Sequence, residues 1–116
     1  MSIERHEVGP RMSKAVVHGN TVYLAGIVAN EPKGKDITAQ TKDIVAQIDG
    51  LLAKAGTDKS KLLTTNIWIT DMANFAAMNA VWDTWVSPHN TPARATVEAK
   101  LATPDYLVEI MVVAAR

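Results

Sequence analysis

Leu107-Val108-Glu109-Ile110-Met111-Val112-Val113-Ala114 decides how this chain must fold. Read as a strand, it sends successive side chains to opposite faces. Val108, Ile110 and Val112 leave one face; Leu107, Met111 and Val113, with Glu109 among them, leave the other. A strand apolar on both faces needs cover on both.

The rest of the chain supplies cover for one face only. Ala15 to His18 reads as a strand, His18-Gly19-Asn20-Thr21 as a turn, and Val22 to Ala25 as the second strand of a hairpin. Thr38 to Ala55 reads as a helix, because Ile44, Val45, Ile48, Leu51, Leu52 and Ala55 recur at helical period and Gly56 stops it. Its polar residues Gln40, Lys42, Asp43, Gln47 and Lys54 fall mostly off that stripe. Lys61 to Thr70 reads as a strand, and Asp71 as the N-cap of a helix running to Trp85 through Phe75, Met78 and Trp82. Thr96 to Leu101 and Leu107 to Ala114 complete the strands, joined across Thr103-Pro104-Asp105. The segment Asn30 to Asp36 is a surface loop. Two helices on one face of a mixed sheet make an α+β two-layer sandwich. The second face is then expected to be buried against other copies of the chain, most simply in a closed ring.

Composition narrows the function. The 116 residues suffice for one domain with a single core. Twelve basic residues balance twelve acidic ones, so nothing suggests a nucleic-acid partner, which would need clustered Lys and Arg. The chain has no cysteine, which removes disulfides, thiolate metal sites and cysteine nucleophiles. Met1 to Glu7 is polar and charged, unlike a secretory signal, and no apolar run approaches the roughly 20 residues of a membrane span. A cytoplasmic protein is expected, with no membrane partner.

One arginine stands out. In Asn90-Thr91-Pro92-Ala93-Arg94-Ala95-Thr96, Arg94 follows a proline at the head of a strand-like run. A guanidinium fixed there can grip a carboxylate with two parallel hydrogen bonds. Gly26 ends the second strand, marking a bulge, the preferred reading, or the close approach of another group. His6, His18 and His89 share no metal-ligand spacing, so no metal is expected. Trp68, Trp82 and Trp85 read as core or helix–sheet packing. Arg11 and Ser13 near the start, and Tyr106 in the last loop, are weaker candidates for contacts at a cleft mouth.

Several fragments, in order, resemble the RidA family, also called YjgF-type reactive-intermediate deaminases and, on an older label, L-PSP endoribonucleases. They are Gly19 to Gly26, Asp71 to Asn79, Pro92-Ala93-Arg94 and Val108-Glu109-Ile110. Arg11-Met12-Ser13-Lys14-Ala15-Val16-Val17 is more similar to a YoaB-type side branch than to RidA itself. The resemblance covers residues 1–116 as a single domain and implies a chorismate-mutase-like fold. It implies a homotrimer whose sheets form a central barrel, with a cleft between each pair of subunits. It further implies hydrolysis of 2-aminoacrylate and related imines to 2-oxo acids and ammonia, without metal or organic cofactor.

The resemblance assigns roles residue by residue. Arg94 matches the arginine that clamps the substrate carboxylate. Gly26 matches the glycine of a Ser-Gly pair lining the cleft, with Ala25 in place of the serine. Asn79 matches an asparagine near the cleft, and Asn90 lies in a loop beside it. Met12 stands where RidA has a tyrosine, Thr96 where it has a cysteine, and Met111 where it has the glutamate thought to activate water. A thioether cannot take a proton as a carboxylate does. Glu109 leaves the same strand face as Met111, roughly 7 Å away at the rise of a strand, and is read first as a structural charge and second as a substitute base.

Two functions follow. One is a cofactor-independent deaminase acting on a small enamine or imine acid. The other is a trimeric binder or sensor of small carboxylates, which the loss of the glutamate favours. A ribonuclease ranks last, because no basic patch or histidine pair supports it.

Overall fold

A computed structural model describes residues 2–116. Six strands form one sheet: β1 (Ile3–Val8), β2 (Ser13–His18), β3 (Thr21–Leu24), β4 (Leu62–Ile69), β5 (Ala93–Glu98) and β6 (Val108–Ala115). Helices α1 (Ile37–Lys54) and α2 (Phe75–Trp85) complete the fold. The strand order is β1-β2-β3-β6-β4-β5, and β4–β5 is the parallel pair. β3 and β4 both run antiparallel to β6 between them. The connections β3-α1-β4 and β4-α2-β5 are therefore two parallel crossovers moving the same way across the sheet. Crossovers share one hand, so both helices land on one face. The result is the expected α+β two-layer sandwich, 20 Å in its thinnest dimension.

Local chemistry sets the element ends. Asp36 caps α1 by accepting from the Ala39 amide at 2.9 Å. Gly56 turns the chain away at φ 82, a conformation glycine adopts without strain. Asp71 caps a short 3-10 turn, Met72–Asn74, that runs into α2. The β2–β3 hairpin closes through Gly19 at φ 62.

The core lies between helices and sheet. Ile44, Ile48, Leu52, Met78, Trp82 and Trp85 meet Ala15, Val17, Val22, Ile67, Ile69, Val108, Ile110 and Val112. The α1 stripe is buried as its spacing requires, and β6 alternates buried with half-buried. The opposite sheet face carries Val16, Tyr23, Trp68, Val97, Met111 and Val113, none of them buried in the protomer.

One strand went unread in the sequence, and three expectations are corrected. Ile3 to Val8 is a strand, although its run of charge hid it; β2 supplies its pairing. β5 spans Ala93–Glu98 rather than Thr96–Leu101, because parallel pairing with β4 begins at Ala93. Gln40 is fully buried rather than off the α1 stripe. Its amide donates to the Pro32, Lys35 and Asp105 carbonyls and accepts from the Leu107 amide. Trp68 does not pack under the helices; it pairs with Glu109 on the open face.

Candidate functional site

The residues singled out in the sequence fall into two groups on opposite faces of the sheet. The first lies where β5 passes α2. Arg94 sits directly across from Thr65 of β4, and Thr96 across from Ile67. Thr65 and Ile67 are buried on the helix side, so Arg94 and Thr96 face the helices too. The Arg94 guanidinium lies over Trp82, 5.4 Å from the ring centroid, and reaches Phe75 at 6.0 Å. Trp82 rests on Trp85 at 5.2 Å, and the Trp85 indole donates to Asp49 of α1 at 2.9 Å. The aromatic platform is thus anchored to both helices. An aromatic face attracts a guanidinium while leaving its N–H groups free to donate.

Asn79 stands four residues after Phe75 and three before Trp82, on the same helix face. Its Oδ1 is buried and makes no hydrogen bond in the protomer, as are Thr65 Oγ1 and Thr96 Oγ1. Asn79 is half-buried, with that oxygen turned away from water. Among the described residues, no carboxylate pairs with Arg94. The neighbourhood holds a positive charge without a counterion and three oxygens without partners.

The second group lies on the open face. Glu109 pairs with Trp68 and Met111 with Asn66, so both side chains leave that face together. The ladder slips by one residue between Tyr23↔Val113 and Ile27↔Ile110, the offset of a bulge. The close-approach reading of Gly26 holds as well, since a Cβ there would collide with Glu109 Oε2. Glycine at 26 lets the Glu109 carboxylate lie flat against the backbone.

Other candidates are scattered. Arg11 and Met12 are exposed beside the β1–β2 turn, which the Gly9 amide closes onto the Met12 carbonyl at 2.8 Å. Asn90 spends its side-chain amide locally, on Ser87 Oγ and the Pro88 carbonyl. Tyr106 is half-buried in the last loop, which Gln40 of α1 pins on both sides of it. Hollows of the single protomer lie elsewhere. One of about 260 Å³ is lined by Lys14, Gln47 and Lys54, and another of about 500 Å³ lies between the helices at Thr38, Lys42 and Thr84.

One protomer therefore unites Arg94 with Thr96 and Asn79, and Gly26 with Glu109 and Met111, but not the two sets. Sequence reading missed Thr65, which looks like any strand threonine, and missed the ring platform under Arg94. The seven-residue interval between Phe75 and Trp82, with Asn79 inside it, was the available signal.

Among the described residues, no three His, Asp or Glu side chains gather as a metal-binding set, and no helix is long and apolar enough to cross a membrane.

Comparison with known proteins agrees with this architecture. The family model described as Endoribonuclease L-PSP matches residues 4–116. The RutC family protein YoaB of Escherichia coli is 44% identical over 115 residues, 99% of each chain. A RutC family protein of Haemophilus influenzae is 43% identical over 114 residues, 98% of each chain. The crystal structure of a YjgF family member from Neisseria meningitidis superposes with a TM-score of 0.96 at 43% identity, covering 100% of this chain and 96% of that one. A member of the YjgF/YER057c/UK114 family from Mycobacterium tuberculosis gives 0.89 at 29% identity, covering 99% and 100%. With its sheet order, its two helices on one face and its YoaB-like start, this chain belongs to the L-PSP endoribonuclease (YjgF/RutC) family.

Proposed function

We propose that the protein is a cofactor-independent deaminase that hydrolyses small enamine or imine acids of the 2-aminoacrylate class. It acts in the cytoplasm as a homotrimer of single 1–116 domains, in clefts between subunits. One observation carries the reading: Arg94 presents an unpaired guanidinium, fixed on Trp82 and bordered by Thr96 and Asn79. That is a receptor for a small carboxylate.

The trimer supplies what one protomer lacks. The open face carries Tyr23, Trp68, Val97, Met111 and Val113 uncovered, and packing these against neighbouring sheets into a barrel removes them from water. It also brings Gly26, Glu109, Met111, Met12, Arg11 and Tyr106 of one copy toward Arg94, Thr96, Asn79 and Asn90 of the next. In the cleft Arg94 holds the carboxylate. Water adds to the carbon of the protonated C=N bond and gives up a proton to nitrogen. The C–N bond then breaks as the added hydroxyl becomes the C=O group and passes its proton to the departing nitrogen, releasing ammonium and the 2-oxo acid. The reaction balances with water alone, and holding acid and water together supplies most of the acceleration.

A second reading is a trimeric binder of small carboxylates, which Met111 favours because it removes the carboxylate that would activate water. One assay separates the two. 2-Aminoacrylate is generated in situ, and ammonia and 2-oxo acid release are followed with the wild type and with Arg94→Ala. The enzyme reading expects acceleration by the wild type and a loss of at least about 30-fold in the mutant, as when one partner of a desolvated charge pair is removed. No acceleration, with 2-oxo acid binding that Arg94→Ala abolishes, supports the binder. Full turnover in Glu109→Gln removes Glu109 from proton transfer.

A further inference from the structure

A guanidinium has five N–H donors, and a bidentate carboxylate takes two of them. Three remain. The sheet and helix surfaces that flank Arg94 carry three buried side-chain oxygens that make no hydrogen bond in the protomer, to Arg94 or to any other group: Thr65 Oγ1, Thr96 Oγ1 and Asn79 Oδ1. Thr65 lies across the parallel ladder from Arg94, and Thr96 lies two residues along β5 on the same face. Asn79 sits on α2 between the two rings that the guanidinium touches. The Trp82 and Phe75 rings limit where the guanidinium lies but not its rotation. In-plane acceptors fix the rotation.

We propose that Thr65, Thr96 and Asn79 are positioning residues for Arg94. They take the N–H groups that the ligand leaves free, and so aim the remaining pair at the carboxylate. The inference rests on the reading of Arg94 as a carboxylate clamp. It adds Thr65, a residue buried within the protomer. A buried acceptor left without a donor is costly, while a charged donor beside it is idle. None of these bonds is made in the protomer alone, so the proposal requires the Arg94 side chain to turn toward the three oxygens.

The test has two arms. The first needs no ligand: the Arg94 Nε–H and its hindered Cζ–Nε rotation are followed by nitrogen-15 NMR in the wild type, Thr65→Val, Thr65→Ser and Thr96→Val. The expected result is a protected Nε–H and slow rotation in the wild type and Thr65→Ser, with several-fold faster exchange in both valine variants. Valine keeps the branched shape of threonine, so a native amide spectrum separates lost hydrogen bonding from lost folding. The second arm titrates pyruvate into the same proteins by calorimetry. Each valine variant is expected to bind about ten-fold more weakly, the scale of one hydrogen bond to a charged group, and Thr65→Ser to recover wild-type affinity. Unchanged Arg94 dynamics in Thr65→Val and Thr96→Val overturn the proposal, as does fast exchange in the wild type. If the wild type binds no pyruvate while Arg94 shows the expected protection and losses, the clamp reading fails and the positioning of the guanidinium stands.

Discussion

The two faces of the sheet are written by the same strands, one residue out of step. On the helix side, β6 contributes Val108, Ile110, Val112 and Ala114, each fully buried. On the other side it contributes Glu109, Met111, Val113 and Ala115, all half-buried at best. β3 behaves likewise: Val22 and Leu24 are buried, whereas Tyr23 between them is 47% exposed. The helix-covered face is finished within one chain. The open face mixes apolar Val16, Tyr23, Trp68, Met111 and Val113 with polar Asn66 and Glu109 and lacks a cover, so its energetics belong to whatever packs against it. Substitutions on the two faces should therefore fail in different ways.

The largest effect is expected on the covered face. Ile110→Ala should lower unfolding free energy by about 2–5 kcal/mol through lost burial and an unfilled cavity, shifting the urea midpoint equally at all protein concentrations. A midpoint that moved only in dilute protein would mean that Ile110 stabilises an assembly rather than the protomer. Next is Gln40→Leu. It keeps bulk on the same side of the sheet but strands the Leu107 amide and the Pro32, Lys35 and Asp105 carbonyls. A cost of about 3 kcal/mol is expected from unpaired buried groups, read by thermal unfolding, together with loosening of the 103–107 loop in amide exchange.

Val113→Asp tests the open face. Val113 is flanked by Tyr23 and Thr64 and touches no helix, so the isolated fold should lose no more than about 1 kcal/mol, as for a surface change. Association should suffer instead, with sedimentation showing smaller species at micromolar protein. An unchanged sedimentation profile would show that this face is not where copies meet.

The smallest effect concerns β1. Arg116 bonds to Glu4 and Lys54 bonds to Glu7, and each holds its glutamate below the usual carboxylate range. A depressed folded-state pKa gives stabilisation that is complete above the unfolded value of about 4.3 and is lost as pH falls through the depressed value. Amide shifts of Ile3 to Val8 should therefore move below about pH 4, and Lys54→Met should remove the Glu7 part. Shifts that stayed flat down to pH 2 would show that neither ion pair holds β1 in place.

What could be read beforehand follows the same division. α1 was legible because its burial repeats at helical period, and β6 because it is apolar on both sides. β1 was not, since Glu4, Arg5, His6 and Glu7 show no alternation and its partners, Lys54 and Arg116, are remote in sequence. β5 was read late because Thr96 and Val97 have the stronger strand preference, while its start depends on β4 pairing at Ala93. Arg94 was legible from the proline before it. Thr65 was not, because its meaning depends on which residue lies across the ladder.

β1 also bounds the sheet. It is the outermost strand on its side, with one row of backbone donors and acceptors open to any incoming chain. Its sequence answers that hazard. A second copy arriving edge-on would have to desolvate Glu4, Arg5 and Glu7 in a fixed register, a poor trade against a few main-chain bonds. The charge that disguises this segment as a loose tail thus works as a guard rail, keeping β-pairing from running on into fibres.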